Sequence, residues 1–146
     1  MSGAALLDVN VLIALFDSGH VHHDAAHDWF ADNAAGGWAT CPVTQAGFVR
    51  VLSAVAPDLY RPATLITHLR KFCSSSAHQF WPDAIALTDP LVFDLSFASA
   101  RHLTDVYLLG LARERGGRLA TFDRTIPQKA VVGARRGMLE VIAPAE

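Results

Sequence analysis

The chain has no apolar run approaching the roughly 20 residues a membrane-spanning helix needs. It also has no basic leader with a small-residue cleavage site, since Met1-Ser2-Gly3 leads straight into the first apolar segment. These two absences set the expectation of a cytoplasmic protein with no membrane partner. Cysteine is scarce: Cys41 and Cys73 stand alone, with no CxxC and no Cys/His zinc spacing, which reads as two reduced, structural thiols. No GxGxxG follows the first apolar run and no GxxxxGK[ST] occurs anywhere, which excludes dinucleotide and P-loop nucleotide binding. Glutamate is missing until Glu114. A large excess of positive charge is missing too: the net charge is −2, which does not advertise nucleic-acid binding. Ten of the twelve basic residues are nonetheless arginine, the better fork for phosphate. Arg113, Arg115, Arg118, Arg124, Arg135 and Arg136 fall late in the chain and read either as solvated surface charge or as a basic rim around an acidic pocket.

What is present is apolar and interrupted. Hydrophobic residues make up 51% and charged residues 18% of 146 positions, the balance of one folded domain spanning 1–146 with a real core. Short apolar runs alternate with amphipathic stretches, the pattern of an α/β fold with a mainly parallel central sheet flanked by helices. Strands are expected at 4–8, 38–41, 78–81, 118–122 and 139–143. Helices are expected at 10–17, 22–34, 42–55, 63–72 and 105–115, with Thr104 as an N-cap and Gly36-Gly37 and Gly116-Gly117 as stops. Residues 82–99 read as loop.

Asp8 is the residue that most needs a reason. It ends the run Ala4-Ala5-Leu6-Leu7 and precedes Val9-Asn10-Val11-Leu12, and a bare buried carboxylate is costly. The carboxyl end of a strand in an open α/β sheet is where ligands bind. Asp123 repeats the arrangement after the run 118–122, so parallel strands would bring both acids to one edge. Asp105 opens a helix, where an acid is also ordinary capping, yet such helix starts lie on the same edge in right-handed βαβ units. Two carboxylates about 4 Å apart repel by about 4 kcal/mol at an effective dielectric of about 20. A divalent cation reverses that sign, and an all-carboxylate site suits Mg²⁺ or Mn²⁺ rather than zinc.

The segments LLDVNVLIAL, CPVTQAGFVRVLS and LTDVYLLGLARERGGRLATFD, in this order, resemble PIN domains of the VapC toxin type over nearly the whole chain. The resemblance implies a PIN-like, 5′-nuclease-like three-layer fold and a Mg²⁺- or Mn²⁺-dependent endoribonuclease that cleaves tRNA or rRNA loops. It also implies a VapB-type antitoxin as partner and a homodimer. Asp8, Asp105 and Asp123 match the family's catalytic metal ligands, and Asn10 and Thr121 match positions of small polar support. One position departs. Gln45 stands where the family places a glutamate, and the next acid after it is Asp58. Three readings stand open: a site that works with three acids, a weak or inactive nuclease that binds RNA or antitoxin without cleaving, or an engineered change. A haloacid-dehalogenase-like phosphatase would also place Asp after the first strand, but it wants a second acid where Asn10 is.

Other candidates carry less. Arg50, in the helix of Gln45, is either a snorkelling surface residue or a contact to substrate phosphate or to an acid of the site. Arg124 follows Asp123 and is positioned to grip a phosphate. His23 and His27 have i, i+4 spacing but no HExxH and no third ligand nearby, so a helix-surface or partner-facing role is favoured over zinc. His102 precedes Asp105 by three residues. Asp89 and Asp94 read as turn residues, and Trp29, Trp38 and Trp81 as core anchors.

Overall fold

The computed structural model describes residues 3–143. Met1, Ser2 and residues 144–146, the ends of the expected domain, lie outside the described residues. The elements in chain order are β1 (Ala5–Leu7), α1 (Val9–Phe16), α2 (His23–Asn33), β2 (Trp38–Thr40), α3 (Pro42–Val55), α4 (Pro62–Phe72), β3 (His78–Phe80), α5 (Leu103–Glu114), β4 (Arg118–Thr121) and β5 (Leu139–Val141). Between β3 and α5 the chain is loop apart from 3₁₀ turns at Leu95–Phe97 and Ala100–His102.

All five strands are parallel, in the order β3-β2-β1-β4-β5. The chain winds outward from the central β1 through β2 to β3, then returns to the other side of β1 for β4 and β5. The carboxyl ends of β1 and β4 therefore flank the point where the winding reverses, which is where open α/β sheets bind ligands. The register pairs Leu6 with Leu119 and Leu7 with Ala120, so the residues that follow, Asp8 and Thr121, come level.

Alternation along each strand sorts side chains to the two faces. Leu6, Ala39 and Leu119 pack against Val106 and Leu109 of α5, with Trp81, Phe93 and Val131. Ala5, Leu7, Trp38 and Ala120 pack against Leu12 of α1, Ala26 of α2, Phe48 and Leu52 of α3, and Leu65 and Leu69 of α4. A sheet covered on both faces explains why its strands are continuous apolar runs rather than alternating ones. The α5 layer lies very close: a Cβ at Gly110 would meet the Phe93 ring at 2.5 Å.

Two helix starts differ from expectation. Helix α1 begins at Val9 rather than at Asn10, because the Asp8 side chain accepts a 2.7 Å hydrogen bond from Val9 N and caps the helix itself. Helix α5 begins at Leu103, with His102 at its N-cap position. The turn Ala100–His102 feeds straight into the helix, so Thr104 lies inside it and caps nothing. Pro42 starts α3 as expected, and Thr44 Oγ1 closes that start by accepting from Cys41 N at 3.0 Å. Gly37, with φ +97°, ends the α2 segment in a conformation that only glycine adopts readily.

Candidate metal centre at the carboxyl edge of the sheet

Asp8 is 4% exposed. Its Oδ1 is held by Val9 N and its Oδ2 accepts 2.7 Å from Thr121 Oγ1. Burial pushes its carboxyl above the usual range, the Thr121 and Val9 bonds pull it back, and the charge of Asp123 pushes it up again. Thr121, fully buried at the end of β4, spends its only proton on Asp8. Its oxygen accepts from Asn10 Nδ2 and from Asp123 N, both at 3.1 Å. Asn10 Oδ1 in turn accepts from Phe122 N at 3.3 Å. One hydroxyl and one amide thus tie the end of β1, the start of α1 and the turn after β4 into one unit.

Asp123 is half-buried. Its Oδ1 accepts from Thr125 N at 2.8 Å and from Thr125 Oγ1 at 2.6 Å, while His102 Nε2 stands 3.8 Å from Oδ2. The Thr125 hydroxyl bond is the main reason its carboxyl lies below the usual range, with help from the charges of His102 and Arg101. Because Thr125 gives its proton to Asp123, the 2.7 Å contact between His102 Nε2 and Thr125 Oγ1 requires the histidine to donate there. Its Nδ1 lies 3.1 Å from Ser99 Oγ. The residue at the N-cap position of α5 is thereby bonded to the turn that carries Asp123.

Asp105 lies in the first turn of α5. Its carboxyl is pushed up to about 7, first by burial and then by the charges of Asp8 and Asp123. Asp105, at a helix start, therefore feels the charges of both acids that follow strand ends. Among the described residues no three His, Cys, Asp or Glu side chains form a preassembled cage. The donor set nonetheless fits a small hard cation: every donor is oxygen, and Mg²⁺ binds through one or two carboxylates while keeping several waters. Such a charge would also relieve the repulsion that lifts Asp105.

Gln45 is not bonded to these acids. Its Nε2 donates to Thr40 Oγ1 at 3.0 Å, and Thr40 Oγ1 is 2.8 Å from His78 Nε2. Gln45 and the exposed Arg50 instead line a groove between α3 and α4. Arg124 is exposed beside Asp123. Thr125, Ser99 and Thr40 escaped sequence reasoning; the pattern Asp-x-Thr at 123–125, a common turn closure, was the one available signal.

Four of the six late arginines lie away from the acids. Arg113, Arg118, Arg135 and Arg136 line a pocket with Gly3 and Met138 at the opposite, amino edge of the sheet. Helix α5 starts at the carboxyl edge and runs back, so its last turn and the start of β4 both end up there. His23 Nδ1 and His27 Nε2 lie 2.7 and 2.8 Å from the carbonyls of Ala14 and Leu15, which gives them a structural task at the end of α1. Asp89 and Asp94 close turns on Leu91 N and Ser96 N. Trp38 and Trp81 are buried, whereas Trp29 is half-buried and donates to Glu140.

Residues 5–132 match the PIN domain family. The chain is 45% identical over 132 residues to ribonuclease VapC39 of Mycobacterium tuberculosis, covering 88% of this chain and 95% of that one. It is 41% identical over 140 residues to ribonuclease VapC44 of the same organism, covering 94% and 99%. Its fold matches the crystal structure of M. tuberculosis VapC20, a sarcin–ricin loop cleaving toxin, with a TM-score of 0.62 at 13% identity, over 90% of this chain and 99% of that one. With the acids gathered at the switch point of a 3-2-1-4-5 parallel sheet, these likenesses establish that the chain belongs to the PIN-domain family and to its VapC type.

Proposed function

We propose that this protein is the toxin of a toxin–antitoxin pair, a single-domain endoribonuclease that depends on Mg²⁺ or Mn²⁺ and acts on structured RNA in the cytoplasm. The observation that carries the reading is the electrostatic coupling of Asp8, Asp105 and Asp123 at the carboxyl edge. The high identity to chains named ribonucleases supports the same activity. We assign the metal to these three carboxylates. A bound divalent cation would supply water activation and stabilise charge building on the phosphoryl group. The chain's own part is positioning. Thr121 and Val9 fix both oxygens of Asp8, Thr125 fixes one oxygen of Asp123, and Asn10 holds the turn between them. Asp105, pushed up to about 7, is divided between its protonated and ionised forms near neutral pH, and positive charge beside it would favour the ionised form. RNA loops with splayed phosphates suit such a narrow acidic site, with Arg124 at its mouth. No helix among the described residues is long and apolar enough to cross a membrane.

A VapB-type antitoxin would find an apolar groove at Leu15, Phe16, Phe30 and Phe72, where an amphipathic segment could lay its apolar face. A homodimer is the default assembly for a small soluble domain. A second reading rests on Gln45: an amide bonded to Thr40 brings no charge to the site, which favours a protein that binds RNA or antitoxin without cutting.

The test is cleavage of total RNA by the purified protein and by Asp8→Asn, with Mg²⁺, Mn²⁺ or EDTA. Discrete metal-dependent fragments, absent with the variant, are expected. RNA binding in EDTA with no fragments under any metal would transfer the case to the second reading.

A further inference from the structure

The pocket at the amino edge lies apart from the carboxylate site. It encloses about 820 Å³. Arg118 on its wall is committed: it donates to Glu140, to Gly3 O at 2.7 Å and to Asn33 Oδ1 at 3.3 Å. Arg113 is not. It is half-buried, and among the described residues it has no carboxylate within ion-pair distance. Its guanidinium lies over the backbone of Gly133, where a Cβ would come within 3.4 Å of Nε. Gly133 and Gly137 both have left-handed backbones, with φ +74° and +91°, and add no side chain to the pocket mouth. Arg135 and Arg136 are exposed beside it. Of the acids at this edge, Glu140 is already bonded by Arg118 and Trp29, and Glu114 is exposed.

A second observation links this pocket to the acids. The connection from β4 to β5 leaves the carboxyl edge at Asp123 and reaches the amino edge at Met138. Residues 124–139 contain Arg124, Lys129, Arg135 and Arg136 and no acid. All four cations are exposed, and Lys129 sits 6.0 Å over the Phe97 ring rather than against a carboxylate. In a chain of net charge −2, the segment itself carries one sign of charge from edge to edge, and the acid beside it, Asp94, donates its N–H to Ala130 O while its carboxylate accepts from Ser96. Gly3 to Asp8 spans five residues at about 3.3 Å each, so the edges lie roughly 16 Å apart, within reach of one RNA stem-loop.

We propose that the β4–β5 connection is a phosphate track, and that Arg113, Arg135 and Arg136 grip RNA backbone phosphates in the amino-edge pocket, remote from the cleaved bond. Arginine forks match phosphate oxygens, and a catalytic edge made of carboxylates needs its RNA-holding charge elsewhere. The proposal rests on the nuclease reading only for the identity of the polyanion.

The experiment is fluorescence anisotropy of a labelled single-stranded loop RNA with the full-length protein in EDTA, over a range of salt. Arg113→Gln/Arg135→Gln/Arg136→Gln should lower the slope of log K against log salt by about 2, since each single-strand phosphate contact contributes about 0.7. At 0.1 M salt that is a loss of roughly 100-fold in affinity. If the Arg113 change disturbs folding, Arg135→Gln/Arg136→Gln, on exposed residues, should lower the slope by about 1.4. Lysine at the same positions should restore the slope, which counts charges. Arg61→Gln, on the exposed start of α4, serves as control and should leave it unchanged. Wild-type affinity and slope in the folded glutamine variants would overturn the track. Because binding is read without metal, a wild-type protein that binds through these arginines but never cleaves would fail the nuclease reading alone.

Discussion

Replacing Asp105 with asparagine should stabilise the metal-free protein at alkaline pH, an unusual outcome for a candidate active-site residue. The carboxyl moves from an ordinary 3.8 to about 7 in the folded state. Between those values the folded chain holds a proton that the unfolded chain has lost. Stability therefore falls as pH rises through this window and is flat above it. The full linkage corresponds to about 4 kcal/mol, and partial exposure of Asp105 screens it to roughly 2 kcal/mol. Asp8, also raised, acts in the same direction, while Asp123, lowered, contributes stability that is lost in acid. Attraction between an acid and a helix N-terminus offsets only about 0.3–1 kcal/mol, too little to change the sign. In EDTA at pH 8, Asp105→Asn should melt roughly 4–8 °C above wild type, and the gap should close as pH approaches 4. Saturating Mg²⁺ should narrow the gap at pH 8 by stabilising wild type. Equal melting of the two proteins at every pH, or an asparagine variant that is always weaker, would refute the electrostatic account of the site.

Thr121→Val should cost about 1–3 kcal/mol, because it strips a donor from buried Asp8 and an acceptor from Asn10 and Asp123 N; urea unfolding checks this, and Thr121→Ser should recover most of it. Gly110→Ala should lose about 1–3 kcal/mol by driving a methyl into the Phe93 ring, read as a lower thermal midpoint with RNA cleavage per folded molecule unchanged. Gln45→Glu should raise cleavage or metal affinity if the side chain can turn from Thr40 toward the acids; metal titration by calorimetry with no change in affinity, alongside unchanged cleavage, would remove Gln45 from the ligand set.

Asp8 and Asp123 were legible because each ends a short apolar run, and a parallel sheet must bring such ends to one edge. Thr121 was named only through the resemblance, as small polar support, and its three bonds needed the register of β1 on β4. The start of α5 was misread because a 3₁₀ turn, invisible to helical periodicity, supplies the entry and leaves Thr104 inside the helix. The partner of Gln45 was not legible: a side chain at the start of α3 can turn to Thr40 or to the sheet edge, and packing decides. For the late arginines two placements stood open, solvated surface charge or a rim around the acids, and four of the six lie at the other edge. Their adjacency depends on which way α5 runs along the sheet, which residue spacing does not state.

The bond between Asp8 and Thr121 joins positions 113 apart in the chain, and β1 has no hairpin partner to hold it meanwhile. During synthesis the first acid emerges early and waits for β4, which at about 5–20 residues per second takes several seconds or more. A truncated product ending before Thr121 would carry the first strand and Asp8 yet lack the hydroxyl, the second strand end and Asp123. The fold thus assembles the coupled site only after Thr121 and Asp123 have been made, whatever the state of the first strand.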